Sequence, residues 1–268
     1  MRIFVATLRK LIRRPATWVT LLLVLVLLAL TYVALGASAR QIVEEPGGEA
    51  VLQLLTFPDA YLNVLGFLLG LGGLLAVIYG AAIAGSEWTW GTLKAAVARG
   101  EGRSWYLVTT FAAILVLLGA GLLIAYVAGV TLAALGAILA GVSTEGMSDL
   151  ETLGRVPEQL GRSWLALGEQ AALGYAIATI ARSQLAGVGV GIGAYFAENF
   201  AGIFRFDVVR YLPFNAAGAV VPAGDPATSG GPPIPVLDPN TALVAVVLYL
   251  VGALVVAGLF TERAEIGG

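Results

Sequence analysis

Apolar residues fall into long uninterrupted runs, and those runs set the element list. Ala16 to Leu35, Tyr61 to Ala84, Trp105 to about Ala140, Trp164 to Ala181, Leu185 to about Phe204 and Thr241 to Phe260 each reach the ~18 residues or more that a helix needs to cross a hydrocarbon core. Six membrane-spanning helices are predicted. The third run is longer than a bilayer needs: at ~1.5 Å per residue it extends roughly 54 Å against a core of ~30 Å, so it must protrude or break near Gly119, Gly129 or Gly136. Only Arg182, Ser183 and Gln184 part the fourth run from the fifth, which makes them a tight antiparallel pair.

The segments between the runs carry a second layer of pattern. In residues 1–14, Phe4, Leu8 and Leu11 share one helical face, with Arg2, Arg9 and Arg13 roughly opposite. That suits a helix lying in the interface of an anionic leaflet, although a basic flank that only orients the first span looks similar. Pro15 disfavours helical geometry at Arg14, so the chain can turn there into the bilayer. The basic start, apolar run and Ala37-Ser38-Ala39 resemble a signal peptide, but a run of about twenty residues exceeds the ~7 to 15 of a signal core and reads as a retained span.

Residues 85–104, GSEWTWGTLKAAVARGEGRS, turn helical from Trp90, with Leu93, Ala96 and Val97 on one face and Gly100 placed for a left-handed cap. A helix this short between two spans must rest its apolar face on lipid or on another protein. Residues 40–59 form a polar, acidic external loop. In 141–163, Ser148 and Glu151 have capping-box spacing and Pro157 breaks the helical pattern. Residues 205–240 are a Pro/Gly-rich external segment, within which Val208 to Val221 is apolar enough to dip back to the interface. Gly66 with Gly70 in span two, and Gly187, Gly189, Gly191 and Gly193 in span five, predict faces for close helix packing.

Composition narrows the chemistry. Hydrophobic residues make up 59% and charged residues 12%, as expected of a membrane protein and not of a soluble one. Net charge is −2, but its distribution is what informs. Arg2, Arg9, Lys10, Arg13, Arg14, Lys94, Arg99, Arg103, Arg182 and Arg263 fall on one side of the predicted spans; Arg40, Arg155, Arg162, Arg205 and Arg210 fall on the other, over longer loops. By the positive-inside rule both termini and the 85–104 loop are cytoplasmic. Cys and His are both absent, which removes disulfides, thiol chemistry and Cys/His zinc sites. No phosphate-binding G-x-x-x-x-G-K-[ST] loop occurs. Nucleic acid is not an expected partner; membrane lipid is.

Ionisable residues within spans are the first functional candidates, because burying them is costly. Glu169 with Gln170 and Glu198 with Asn199 sit towards the external ends of spans four and five. There, water or headgroups solvate them, or else they line a cavity that contacts substrate or a cation. An intramembrane hydrolase is disfavoured: Ser38 and Ser143 lie near membrane ends, but no His can act as base and Lys10 and Lys94 are on the opposite side. No Asp lies within a span. A secondary transporter or channel is the alternative class, although the halves show no alignable repeat and no selectivity filter is present.

Four stretches carry a resemblance to a known family. GSEWTWGTLKAAVARGEGRSWYL at Gly85 to Leu107 is similar to an E-x-x-x-G-T-L-[KR] motif followed by a short helix, a basic residue and a glycine. IARSQLAGVGVGIGAYF at Ile180 to Phe196, LPFNAAGAV at Leu212 to Val220 and LFTERAEI at Leu259 to Ile266 follow in matching order. Together they resemble the permease subunit of type-2 ABC transporters, bacterial systems whose membrane protein and ATPase are separate chains. The resemblance implies one all-helical permease domain over 1–268 in a prokaryotic plasma membrane: six spans, an interfacial N-terminal helix and a cytoplasmic coupling helix between spans two and three. It implies a second permease copy or paralogue and two cytoplasmic ATPase subunits, with ATP and Mg on those partners and no cofactor or enzymatic activity on this chain, acting as an exporter. Glu87 takes the position of the family's loop carboxylate, and Trp88, Trp90, Thr92, Leu93, Lys94 and Arg99 complete the expected ATPase-coupling set. The tail departs from the family's basic-basic-acidic ending, with Glu262-Arg263-Ala264-Glu265 in its place.

Overall fold

The computed structural model describes residues 2–39, 41, 48–203, 207–222 and 237–263, and among them every regular element is helical. In chain order these are α1 (Arg2–Ile12), α2 (Pro15–Ala37), α3 (Gly48–Leu52), α4 (Ala60–Thr89), α5 (Thr92–Ala98), α6 (Arg103–Ala140), α7 (Leu150–Ala181), α8 (Gln184–Ile203), α9 (Pro213–Gly218) and α10 (Pro239–Arg263). Short 3-10 turns occupy Gln53–Leu55, Glu145–Ser148 and Asp207–Tyr211. Four helices, α2, α4, α6 and α10, are long and apolar enough to cross a membrane. The predicted fourth and fifth spans, α7 and α8, include Glu169-Gln170, Glu198-Asn199 and many glycines, and fall below that measure. Arg40, the acidic stretch 42–47, Arg205, the Pro/Gly-rich stretch 223–236 and the tail 264–268 lie outside the described residues.

Local chemistry accounts for the boundaries. Pro15 opens α2 and holds Arg14 extended at φ −75°, ψ 131°, so α1 and α2 meet at an elbow. The elbow uses side chains to satisfy the last carbonyls of α1: Thr17 donates to Leu11 O at 2.7 Å and Trp18 Nε1 to Ile12 O at 2.8 Å. Helix α6 is unbroken over 38 residues, so it does not break near Gly119, Gly129 or Gly136. Gly141, at φ 72°, ends it, with Val142 N bonding back to Ala137 O.

Two expectations for 141–163 need correction. The cap of α7 is Asp149 and not Ser148, and the helix runs through Pro157. Pro157 removes one backbone donor, but Glu151–Arg155 and Glu158–Arg162 pairs at i,i+4 support the turns on either side. Asp149 accepts the Thr152 amide and hydroxyl, which holds its carboxyl below the usual carboxylate range.

Helix α4 is the centre of the bundle and packs on α7, α8, α6 and α2. Its closest approach is to α7. A Cβ on Gly80 would run into the Ala171 carbonyl oxygen, and one on Gly174 into the Val77 carbonyl oxygen, so the backbones touch reciprocally. Gly36 of α2 and Gly136 of α6 make a similar contact. The predicted Gly66/Gly70 pair is not a packing site within the chain: Gly66 faces open space and Gly70 meets only the Tyr195 hydroxyl. The glycines of α8 divide, as two-residue spacing on a helix requires. Gly187 and Gly191 press on Ala178 and Val77, while Gly189 and Gly193 face outward. The apolar part of 208–221 is buried within the chain: Phe214, Ala216, Ala217, Val220 and Val221 are covered, and α9 packs on α10, α7 and α4.

Contacts between distant segments define the two ends of the bundle. At one end α1, the end of α4, α5, the start of α6, the end of α7 and the end of α10 meet. Arg103 donates to Glu262 O at 2.7 Å, and the Glu262 carboxylate accepts from the Ser104 amide and hydroxyl at 3.1 and 2.6 Å. Glu262 thus ties the last helix to the first turn of α6, a role the sequence motif did not suggest. At the other end Tyr61 donates to Met147 O at 2.8 Å and Arg162 to Asn240 Oδ1 at 2.8 Å.

Candidate functional site

The first end is organised around one carboxylate. Helix α4 continues past Ala84, the predicted end of its span, to Thr89, and this carries Ser86 and Glu87 inward on the last turns. Glu87 is only 3% exposed. Lys10 Nζ of α1 lies 2.8 Å from Glu87 Oε1, and Arg14 reaches the same oxygen at 3.5 Å while its other nitrogen donates to Ser86 Oγ at 2.8 Å. The hydroxyls of Thr92 and Tyr106 both donate to Glu87 Oε2. Four elements, α1, α4, α5 and α6, therefore converge on one side chain. A carboxylate buried this far is tolerable only because both oxygens are satisfied and two cations face it.

The loop folds around this hub for local reasons. Gly91 takes φ 64°, the left-handed conformation that lets the chain leave α4 and start α5 within two residues. Gly100, at φ 87°, closes α5 as predicted: its amide bonds to Val97 O and that of Glu101 to Ala96 O, the paired bonds of a Schellman end. The apolar face of α5 is used within the chain. Leu93 and Ala96 pack with Tyr106 into a small second core that also takes in Ile3, Trp88 and Val97. Likewise Leu11 of α1 is fully buried against the bundle, with Phe4 and Leu8 beside it, so the amphipathic N-terminal helix rests on its own chain.

Of the seven residues expected to couple to an ATPase, Glu87, Leu93 and Thr92 thus serve this internal construction. Trp88 is half-buried, under the Arg182 guanidinium at 5.4 Å. Trp90, Lys94 and Arg99 are exposed, Trp90 at 65% with Arg14 stacked 5.0 Å from its ring. Lys94 and Arg99 form no ion pair among the described residues. Between α1 and α5 lies a groove of ≈ 450 Å³ lined by Thr7, Lys10, Thr92, Arg99, Glu101 and Tyr106 among others. Lys10, Arg14 and Tyr106, the partners of Glu87, were not singled out as site residues from the sequence. The available signal was few acids among ten basic residues assigned to the same side, with Glu87 the one next to the end of a span.

Arg182 holds the α7–α8 turn in a left-handed conformation, φ 51°, where glycine is the easier residue. Its side chain explains the choice, since it covers Trp88. Two substitutions separate the effects. Arg182→Gly removes backbone strain of ~1 kcal/mol along with a cation–π contact of ~0.5–1 kcal/mol, so the unfolding temperature should barely move. Arg182→Ala keeps the strain and loses the contact, and should be less stable by ~0.5–1 kcal/mol in thermal unfolding.

The other predicted group is only partly assembled. Glu169 is fully buried and neither carboxylate oxygen has a hydrogen-bond partner among the described residues; Gln170, 1% exposed, points its amide at Gly73. Glu169 is therefore inside the bundle and not towards the end of its helix. The reason is that α7 starts fourteen residues before Trp164, which puts Glu169 near the middle of a 32-residue helix. Glu198, 8% exposed, accepts from the amides of Phe214 and Asn215 at 3.0 and 3.2 Å and so pins α9 onto α8. It lies within electrostatic reach of Glu169. Asn199 does not join them; it is exposed and donates to Tyr195 O at 2.8 Å. Among the described residues no cluster of acids could hold a metal ion. No family model and no curated protein matches the sequence, so the chain stands as a helical protein with four candidate membrane spans.

Proposed function

We propose that this chain is the membrane-spanning permease subunit of an ABC transporter that exports its substrate, with ATP hydrolysed by a separate cytoplasmic subunit that docks on α1 and α5. The observation that carries this reading is the platform at the first end: a buried Glu87 locks two short amphipathic helices to the ends of α4 and α6 and leaves Trp90, Lys94 and Arg99 facing out. A partner that pushes on α5 moves two long helices at once, because the lever is continuous with α4 and bound to α6. Such rigid transmission is what conversion of nucleotide-driven closure into a membrane motion needs. In this reading α7 and α8 also cross the membrane, which gives six spans with both ends cytoplasmic. The gathering of Lys10, Arg14, Lys94, Arg99, Arg103 and Arg182 at one end fits that orientation.

The outward glycines Gly66, Gly189 and Gly193 supply a small-residue surface for a second permease copy or paralogue. The alternative, a secondary transporter or channel, draws on the unpartnered buried Glu169.

The test uses the chain reconstituted with the ATPase encoded beside it. Replacing Trp90 with Ala and reversing Lys94 and Arg99 to Glu should weaken association and lower ATPase stimulation at least about tenfold, as expected for an aromatic anchor flanked by charges. Thermal unfolding of the chain should hardly change, since all three are exposed. Unaltered stimulation would overturn the docking assignment, and ion conduction by the purified chain alone in liposomes would favour the channel.

A further inference from the structure

Helices α2 and α6 touch closely near Gly36 and Gly136, and towards the elbow a gap remains between α2, α4 and α6. The gap is a cavity of ≈ 280 Å³ running from Thr17 and Tyr79 at the elbow to Val24 and Leu68 deeper in. Its breadth comes from small residues facing Thr17–Val24: Gly72 and Ala76 of α4, and Ala120, Gly121 and Ala125 of α6. A Cβ on Gly72 or Gly121 would meet nothing within 4 Å.

The lining is apolar apart from its mouth. There, Thr17 Oγ1 and Tyr79 OH are 2.8 Å apart, and because the Thr17 proton goes to Leu11 O, Tyr79 is the donor in that pair. These two groups satisfy each other, so the cavity offers water few partners. It opens between helices whose other exposed residues are Val19, Leu22, Leu123 and Ile124, a surface fit for hydrocarbon. Beside the mouth, Ile12 lines the cavity and is followed by Arg13; Arg9 lies one turn earlier. Both arginines are exposed and unpaired among the described residues, whereas Lys10 and Arg14 are committed to Glu87.

We propose that this cavity holds one acyl chain of an anionic phospholipid, from the leaflet in which α1 lies, with the headgroup phosphate on Arg9 and Arg13. An alkyl chain suits an apolar space of this size between apolar helices, and two exposed arginines, Arg13 next to the lining residue Ile12 and Arg9 one turn before it, favour negative headgroups. The bound lipid completes the packing of α2 against α4 at the elbow, next to the α1 platform. The inference needs only that the chain is a membrane protein and holds whether or not an ATPase docks.

The experiment uses the chain alone, in nanodiscs of phosphatidylethanolamine and phosphatidylglycerol, released in native mass spectrometry. Wild type should retain one phospholipid enriched at least about fivefold in phosphatidylglycerol over the bulk ratio. Gly72→Leu with Gly121→Leu fills the cavity and should reduce retained lipid about tenfold; Gly121→Leu alone serves if the pair folds poorly. Arg9→Gln with Arg13→Gln should keep a bound lipid but lose the preference. Inorganic phosphate at millimolar concentration should not displace it. Equal lipid retention by the filled variants would overturn the proposal, as would a wild type that binds phosphate at these arginines and retains no lipid.

Discussion

Gly174→Val and Gly80→Val should each destabilise the chain by ~3 kcal/mol or more, the largest single-residue effect expected outside the first end. At the α4–α7 crossing the added Cβ meets a backbone carbonyl oxygen in both cases. Backbone cannot rotate away as a side chain can, so the two helices must move apart and lose contact along their whole buried length. Over-packing in a responsive core costs ~1–3 kcal/mol, and a site with no flexible neighbour belongs at or beyond the top of that range. Gly66→Val and Gly189→Val are the controls. Their Cβ atoms point into open space, so stability should change by no more than about 0.5 kcal/mol. Unfolding in mixed micelles followed by circular dichroism distinguishes the pairs. Because α4 touches α2, α6, α7 and α8, a defect at Gly80 should also loosen contacts that do not include it.

The second large effect is at Glu87. Glu87→Ala leaves Arg14, Thr92 and Tyr106 without their shared acceptor. Removing one member of a buried ion pair costs ~3–5 kcal/mol. Lys10 is about one-third exposed and can turn to water, which discounts its share, so about 2–3 kcal/mol is expected. Glu87→Gln keeps an acceptor but not the charge and should fall between. The informative readout is local as well as global: α1 and α5 should exchange amide hydrogens at rates near those of free peptides in Glu87→Ala, while α7 stays protected. If α1 stays protected in Glu87→Ala, the carboxylate does not hold the platform.

The long elements could be read because apolar run length and glycine or proline position act locally. The elbow at Pro15 and the left-handed end at Gly100 both follow from a few neighbouring residues. What could not be read depended on several contacts weighed together, some local and some far along the chain. Pro157 seemed to end a helix because its lost donor is visible in sequence, whereas the Glu151–Arg155 and Glu158–Arg162 pairs that support the helix around it had to be weighed together. Gly66 and Gly70 have the right spacing for a crossing, yet which glycine face meets a neighbour depends on the rotation of α4, fixed by every other contact it makes. The same holds for the candidate site. Glu87 could be chosen as an acid beside a span end in a basic loop, but its partners Lys10 and Arg14 are more than seventy residues away. Leu93 reads as a contact residue for a partner until Tyr106 and Ile3 are seen to cover it.

A rigid platform is built inside the chain around Glu87, and we propose that its outer surface receives a cytoplasmic ATPase. The absence of cysteine gives a direct way to test this, since any introduced thiol is the only one present. Trp90→Cys, Lys94→Cys and Arg99→Cys report on the outer face, and Ser143→Cys, exposed just past the far end of α6, on the opposite end of the bundle. In membranes with the neighbouring ATPase added at saturating concentration, the rate of labelling by an impermeant maleimide is the measurement. The first three thiols should react from the cytoplasmic side and slow at least about tenfold when the ATPase is present, while Ser143→Cys should react only from the opposite side and at an unchanged rate. Labelling of all three at undiminished rates with the ATPase present, or labelling only from the opposite side of the membrane, would contradict it.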